Sequence, residues 1–206
     1  YHYVVTAVDT SGNDSGTGAE VAGMPDGAGS CGGSPTSDPW INEVHYDNSS
    51  SDTGEGVEVA GPAGLDLGGW QLVPYNGNGG RAYRAASLTG TLSDQSGGFG
   101  TLWFPISGLQ NGAPDGIALV DDQGGVVQFL SYEGTLTATN GVASGMTSTD
   151  IGVSELGGTA VGDSLQLTGS GIVYGDFSWQ APAAASPGTP NAGQSFTDGG
   201  DLAAPS

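Results

Sequence analysis

The sequence predicts an all-β protein, a sandwich of two packed sheets. Three observations carry this. Glycine makes up 40 of the 206 residues, and glycine weakens helix interiors while permitting tight turns. Apolar residues fall in short runs between Gly, Asn and Asp clusters, the pattern of strands joined by turns. No window sustains an apolar repeat of helical period.

The first element spans residues 1–25. Tyr1, Tyr3, Val5 and Ala7 alternate along one strand face, as a period of two requires. A polar turn at 9–14 (DTSGND) separates them from a second short strand that carries Val21. These residues resemble strands F and G, the last two of a fibronectin type III domain. The other five strands of such a sandwich are absent from the sequence. A lone hairpin is marginal in water. The expectation is therefore that residues 1–25 add to a sheet of a neighbouring molecule. Residues 26–38 are rich in Gly, Ser and Pro and read as a linker. The linker holds the single cysteine, Cys31, which has no intrachain partner. It is either a free thiol or an intermolecular disulfide, and it is grouped with the assembly residues Tyr1, Tyr3, Val5, Ala7 and Val21.

Strands are then expected at residues 40–47, 56–60, 70–75, 81–85 and 100–104. A hairpin is expected from 116–120 and 126–131 across the turn at 121–125, which contains Asp-Asp and Gly-Gly pairs. A second is expected from 164–168 and 172–179 across Gly169-Ser170-Gly171. Residues 133–163, rich in Thr, Gly and Ser, read as a long segment without strands, a length often associated with function. Residues 197–206 read as a linker-like tail. Period-two placement predicts that Ile41, Val57, Trp70, Leu72, Leu102, Ile117, Leu119, Phe129 and Leu165 are buried.

Residues 39–196 resemble the bacterial branch of the lamin-tail domain. The resemblance is carried by residues 41–47 (INEVHYD), 54–60 (GEGVEVA), 65–72 (LDLGGWQL) and 111–120 (NGAPDGIALV), followed by 125–129 (GVVQF). It implies an immunoglobulin-like sandwich of seven to nine strands, secreted when bacterial. It also implies a domain that accompanies nuclease, protease or adhesive modules and is not itself catalytic. In the DLGGW element, Leu67 and Trp70 bracket Gly68-Gly69, where glycine tolerates positive φ.

Charge narrows the partners. There is no lysine; Arg81 and Arg84 stand against 22 acids, for a net charge of -20. Such a chain repels phosphate backbones and anionic membranes. It suits a saline exterior, where screening is strong. The absence of lysine also excludes a Schiff-base lysine and a Lys–Asn cross-link. No signal-peptide pattern or apolar run of about 18 residues is found, and an export signal is expected upstream of residue 1.

Two polar clusters are candidates for chemistry. Glu43, His45 and Asp47 share one strand face by period two, near Glu58. A histidine between carboxylates can bind a metal or act as a base, yet no nucleophile motif or second nearby histidine accompanies it. The expectation is a solvated or hydrogen-bonded strand face. The loop at 47–55 offers Asp47, Asn48, Asp52 and Glu55 as oxygen ligands for Ca²⁺, the only cofactor the sequence suggests. Sugar binding would call for an exposed aromatic platform, for which Tyr75, Tyr83 and Trp103 are the candidates. The expected function is a non-catalytic, extracellular structural or adhesive module that assembles with copies of itself into a filament. The alternative is an accessory module of a larger secreted nuclease or protease.

Overall fold

The computed structural model describes residues 38–197. The expected assembly residues Tyr1, Tyr3, Val5, Ala7, Val21 and Cys31 lie outside that range. The described residues are all-β. The strands are β1 (Trp40–His45), β2 (Gly56–Pro62), β3 (Gln71–Asn76), β4 (Arg81–Ala82), β5 (Ala86–Ser87), β6 (Phe99–Pro105), β7 (Asp115–Val120), β8 (Val126–Tyr132), β9 (Thr149–Asp150), β10 (Asp163–Gly171), β11 (Phe177–Ala184) and β12 (Gln194–Phe196). They form two six-stranded sheets. The first runs β11-β10-β1-β2-β6, with β12 also paired to β10. The second runs β4-β3-β7-β8-β9, with β5 also paired to β3. Pairing is antiparallel except for β12 on β10 and β9 on β8.

The central core lies between the sheets. Ile41, Val44, Val57, Val59 and Leu165 from the first sheet meet Leu72, Ile117, Leu119 and Leu130 from the second. Eight of the nine residues expected to be buried are so; Leu102 is half-buried because β6 is an edge strand. A register shift between Ile41 and Glu43 in β1 breaks strict alternation. It lets Ile41 and Val44 both enter the core, as a bulge does. Trp70 joins the same core, and Gly69 before it has φ +89°, the conformation anticipated for that turn.

Both sheets are also covered on the outside, which the sequence reading did not anticipate. On the second sheet, Val73, Tyr75, Ala118, Val120 and Phe129 form a separate cluster with Leu136, Ala138 and Ala143. The Tyr75 hydroxyl accepts the Ala143 N–H at 2.9 Å. Residues 133–163 are thus not strandless: they cover this sheet, bridge at Thr137–Thr147 and supply β9. Phe129 is buried here and not in the central core.

A third cluster joins Trp40, Ala60, Phe99, Leu167, Phe177 and Phe196. Trp40 stacks on Phe177 at 5.7 Å and meets Phe196 edge-on at 6.1 Å. Phe196 carries β12 onto the sheet, and Gly97 lets it come close. A Cβ on Gly97, at φ +58°, would stand 1.9 Å from the Phe196 carbonyl oxygen.

Two local expectations need correction. The second hairpin does not turn at Gly169–Gly171: β10 continues through Gly171. The chain reverses at 172–176, where Asp176 Oδ2 accepts the N–H groups of Ile172 (2.9 Å) and Val173 (3.1 Å). That carboxylate supplies the turn that glycine was expected to make. The strand expected at 81–85 is only Arg81–Ala82. The first hairpin turns as expected, with Asp121 Oδ1 accepting N–H from Gln123 (2.9 Å) and Gly125 (2.7 Å).

Phe196→Ala should empty the centre of the third cluster. Urea unfolding should show a loss of about 3–5 kcal/mol, the ordinary cost of truncating a fully buried phenylalanine.

Candidate functional site

The shift in β1 turns Glu43 and His45 away from the central core, yet both are buried. Each anchors a polar cluster.

His45 Nδ1 lies 2.7 Å from Glu155 Oε1. Its Nε2 lies 3.0 Å from the Thr53 carbonyl and 3.2 Å from Asn48 Oδ1. Every partner is an acceptor, so both ring nitrogens donate and the ring is an imidazolium. The Glu155 hydrogen bond pushes the His45 pKa up to about 9, against the opposing effect of burial. Glu155 Oε2 accepts the N–H groups of Tyr46 (2.6 Å) and Asp47 (2.8 Å). The Glu155 N–H donates to the Tyr46 hydroxyl at 2.8 Å, and that hydroxyl donates to Glu133 Oε1 at 3.0 Å. The Tyr46 ring stacks on Tyr132 at 3.8 Å. The cluster therefore clamps the loop around Glu155 onto the end of β1. Period two placed Glu43 and Asp47 beside His45; the ion-pair partner is instead Glu155, 110 residues further on, which no local spacing could indicate.

Of the four residues considered for Ca²⁺, Asn48 and Asp52 hydrogen-bond within the loop, while the buried Glu55 Oε1 has no partner. Asn48 is buried, and its Oδ1 accepts from His45 and from the Thr53 N–H (3.0 Å). Its Nδ2 donates to the Ser49 and Ser51 carbonyls at 3.0 and 3.1 Å. Asp52 Oδ1 accepts the Asn48 N–H at 3.2 Å. Glu55 Oε2 accepts the Gly108 N–H at 2.7 Å. Asp47 faces Asp52, and burial followed by the Asp52 charge raises its pKa. Among the described residues no group of three or more His, Cys, Asp or Glu side chains could share a metal ion.

The second cluster is built on Glu43 and Glu58. They are directly opposite in the β1–β2 register, and each is 0% exposed. Glu43 Oε1 accepts from the Ser164 hydroxyl (2.6 Å) and the Ser186 N–H (3.1 Å); the Ser186 hydroxyl faces Oε2 at 3.2 Å. Glu58 Oε1 accepts from Asn42 Nδ2 at 2.9 Å, and Oε2 from the Gly188 N–H at 2.6 Å. Around them Asn42 and Gln194 exchange amide hydrogen bonds at 2.6 and 3.1 Å. Asn191 Nδ2 donates to the carbonyls of Asn42 and Leu167, both at 3.0 Å. The donors at 186 and 188 and the amides at 191 and 194 come from the segment that crosses the sheet toward β12.

No cation neutralises this pair: among the described residues the ion pair found is His45–Glu155. Burial, with the Glu43 charge adding, pushes the Glu58 pKa up to about 8. Burial also raises that of Glu43, while the Ser164 and Ser186 donors and His45 pull it back. Paired carboxylates with raised pKa values are common at catalytic sites. Here their oxygens are engaged by the covering segment, so the arrangement fastens that segment to the sheet.

A scan against protein-family models and searches of curated proteins and of solved structures each find no match. Among the described residues no helix is long and apolar enough to cross a membrane.

Both clusters set the direction of the pH dependence. Folding raises Glu58 from 4.5 to about 8 and His45 from 6.5 to about 9. The folded state binds the extra protons, so stability falls as pH rises. The Glu58 contribution is complete below about pH 4.5 and lost as pH rises through 8; that of His45 is complete below about pH 6.5 and lost through 9. Thermal melts should show a falling midpoint between pH 6 and pH 9.5. Glu58→Gln keeps the shape without the charge and should flatten the part of that fall near pH 8. Glu155→Gln should cost about 3–5 kcal/mol at pH 7, because it leaves a buried imidazolium without its counter-ion.

Proposed function

We propose that this chain is a non-catalytic structural module of an extracellular assembly. It is built on an immunoglobulin-like sandwich of the lamin-tail kind, and copies join by strand addition. The observation that carries this is the open edge at β11. Among the described residues β11 pairs with β10 and no other strand. Its eight residues, Phe177–Ala184, carry no charge, and Ser178, Gln180, Ala181, Ala183 and Ala184 are exposed. Edge strands in soluble proteins are usually guarded by charge, a bulge or a cover. Here the guards are Pro182 and a bulge at residues 181–182, where the register with β10 shifts between Ser164 and Gln166; residues 177–180 are left regular. An uncharged edge offers main-chain hydrogen bonds to an incoming strand. The alternating apolar face of residues 1–25, with Tyr1, Tyr3, Val5 and Ala7, is the segment of this sequence suited to add there. A head-to-tail contact of that kind propagates as a filament unless its rotation closes a ring.

The remaining polar chemistry supports a structural role. His45, Glu43, Glu58 and Glu155 all spend their hydrogen-bonding capacity on other parts of the fold. An acidic, lysine-free surface supports a saline exterior, and it opposes nucleic acid and anionic membranes as partners.

Electron microscopy of the full chain at high salt and high protein concentration tests this reading. Filaments are expected. Ser178→Lys with Gln180→Lys places two charges on the β11 edge and should abolish them, while changing stability by no more than about 0.5 kcal/mol each. Deletion of residues 1–25 should abolish them as well. Monomers at every concentration, or filaments that survive the two lysines, would contradict the proposal.

A further inference from the structure

We propose that the step from Asn78 to Gly79, in the turn that joins β3 to β4, is a site of spontaneous covalent modification, where the Asn78 amide is converted to a carboxylate through a cyclic imide. The sequence holds four Asn-Gly steps, at 76–77, 78–79, 111–112 and 140–141. Glycine after asparagine favours this reaction because no Cβ hinders the approach of its nitrogen to the asparagine side chain. Two groups must be free. The asparagine amide has to swing onto the main chain, and the glycine N–H has to lose its proton. The fold restrains one or both at three of the four steps.

At the first step, Asn76 Oδ1 accepts the Asn78 N–H at 2.7 Å, and the Gly77 N–H donates to Asp115 Oδ1 at 2.9 Å. At the third, the Asn111 amide donates to the Asp47 carboxylate, and the Gly112 N–H faces the Asp115 carboxylate. An N–H aimed at a carboxylate resists deprotonation, because the anion it would form stands against a negative charge. At the fourth, Asn140 Oδ1 accepts the Ala82 N–H at 2.8 Å. Gly141 there packs so closely that a Cβ would stand 2.7 Å from the Tyr75 hydroxyl. The second step differs. Among the described residues, neither the Asn78 side chain nor the Gly79 N–H has a hydrogen-bond partner. Both residues are exposed, and nothing lies within 4 Å of the place a Gly79 Cβ would take. The Thr139 hydroxyl donates to the Gly79 carbonyl at 2.7 Å, but that oxygen belongs to the next peptide unit and does not hold the N–H.

The reaction needs only water. Hydroxide takes the Gly79 amide proton, and the nitrogen electron pair attacks Asn78 Cγ. The N–Cγ bond forms, the bond from Cγ to the side-chain nitrogen breaks, and ammonia leaves with a proton from water, which restores the hydroxide. Water then opens the imide at either of its two carbonyls, giving an aspartyl or an isoaspartyl residue. One water is consumed, one ammonia is released, and nothing is oxidised or reduced. The product adds one negative charge to the turn. The site is separate from the β11 edge and does not depend on assembly.

The test is incubation of the full chain at pH 8.5, followed by peptide mass spectrometry that resolves the four sites. Conversion at Asn78 should outpace each of the other three roughly tenfold, because each of those must first break a hydrogen bond. Its rate should rise with pH, since the nitrogen reacts as its anion. In concentrated urea, where the fold no longer restrains them, the four sites should convert at comparable rates. Asn78→Gln, at an exposed position, should remove the dominant product and leave the fold intact. Three outcomes would overturn the inference: no conversion at Asn78, conversion of Asn76, Asn111 or Asn140 in the folded chain as fast as that of Asn78, or the same preference for Asn78 in urea.

Discussion

Two carboxylates buried side by side, with no cation between them, set the terms for the first sheet. Burying an ionised carboxylate is expensive unless hydrogen bonds replace its water. For Glu43 and Glu58 the replacement includes the N–H groups of Ser186 and Gly188 and the Ser164 hydroxyl. The segment that supplies the first two also presents Phe196 to Trp40, Phe99 and Phe177. The polar fastening and the apolar cluster therefore hold the same stretch of chain. Partial neutralisation of Glu58, whose pKa stands near 8, eases the repulsion between the two carboxyls at neutral pH.

The other sheet reaches a similar end by a different route. Its outer face is apolar and is covered by residues 133–148, with Leu136, Ala138 and Ala143 inserted between the strands' side chains. The His45–Glu155 pair then ties a later part of that excursion back to β1. With both outer faces occupied, the parts of the molecule left to meet other molecules are edges and turns. That is why the proposals concern the β11 edge and the β3–β4 turn and not a sheet face.

Strand positions and the central core were largely legible in the sequence because they follow from local periodicity. Val57, Leu72, Ile117, Leu119 and Leu165 are buried as their alternation implies. The covered outer faces were half-legible. Residues 71–75 of β3 and 116–120 of β7 are nearly continuous apolar runs, a sign of burial on both faces, but nothing local names what covers them. The polar clusters were the least legible. Glu43, His45 and Glu58 look like the polar side of an amphipathic sheet. Their partners Glu155, Ser186 and Gly188 lie 110 to 143 residues away along the chain, beyond any periodicity. In the 47–55 loop the oxygen atoms were legible as possible Ca²⁺ ligands, whereas the internal hydrogen bonds of Asn48 were not.

The most direct test of this account is amide hydrogen exchange at Ser186 and Gly188, read at pH 6 to 7. Both sit in an irregular segment that would exchange quickly if it only lay against the surface. If Glu43 and Glu58 fasten it, the two amides should exchange only through unfolding events close in free energy to global unfolding, alongside the amides of β1 and β2. Exchange of Ser186 and Gly188 at the rate of exposed loops, with β1 and β2 still protected, would contradict the account.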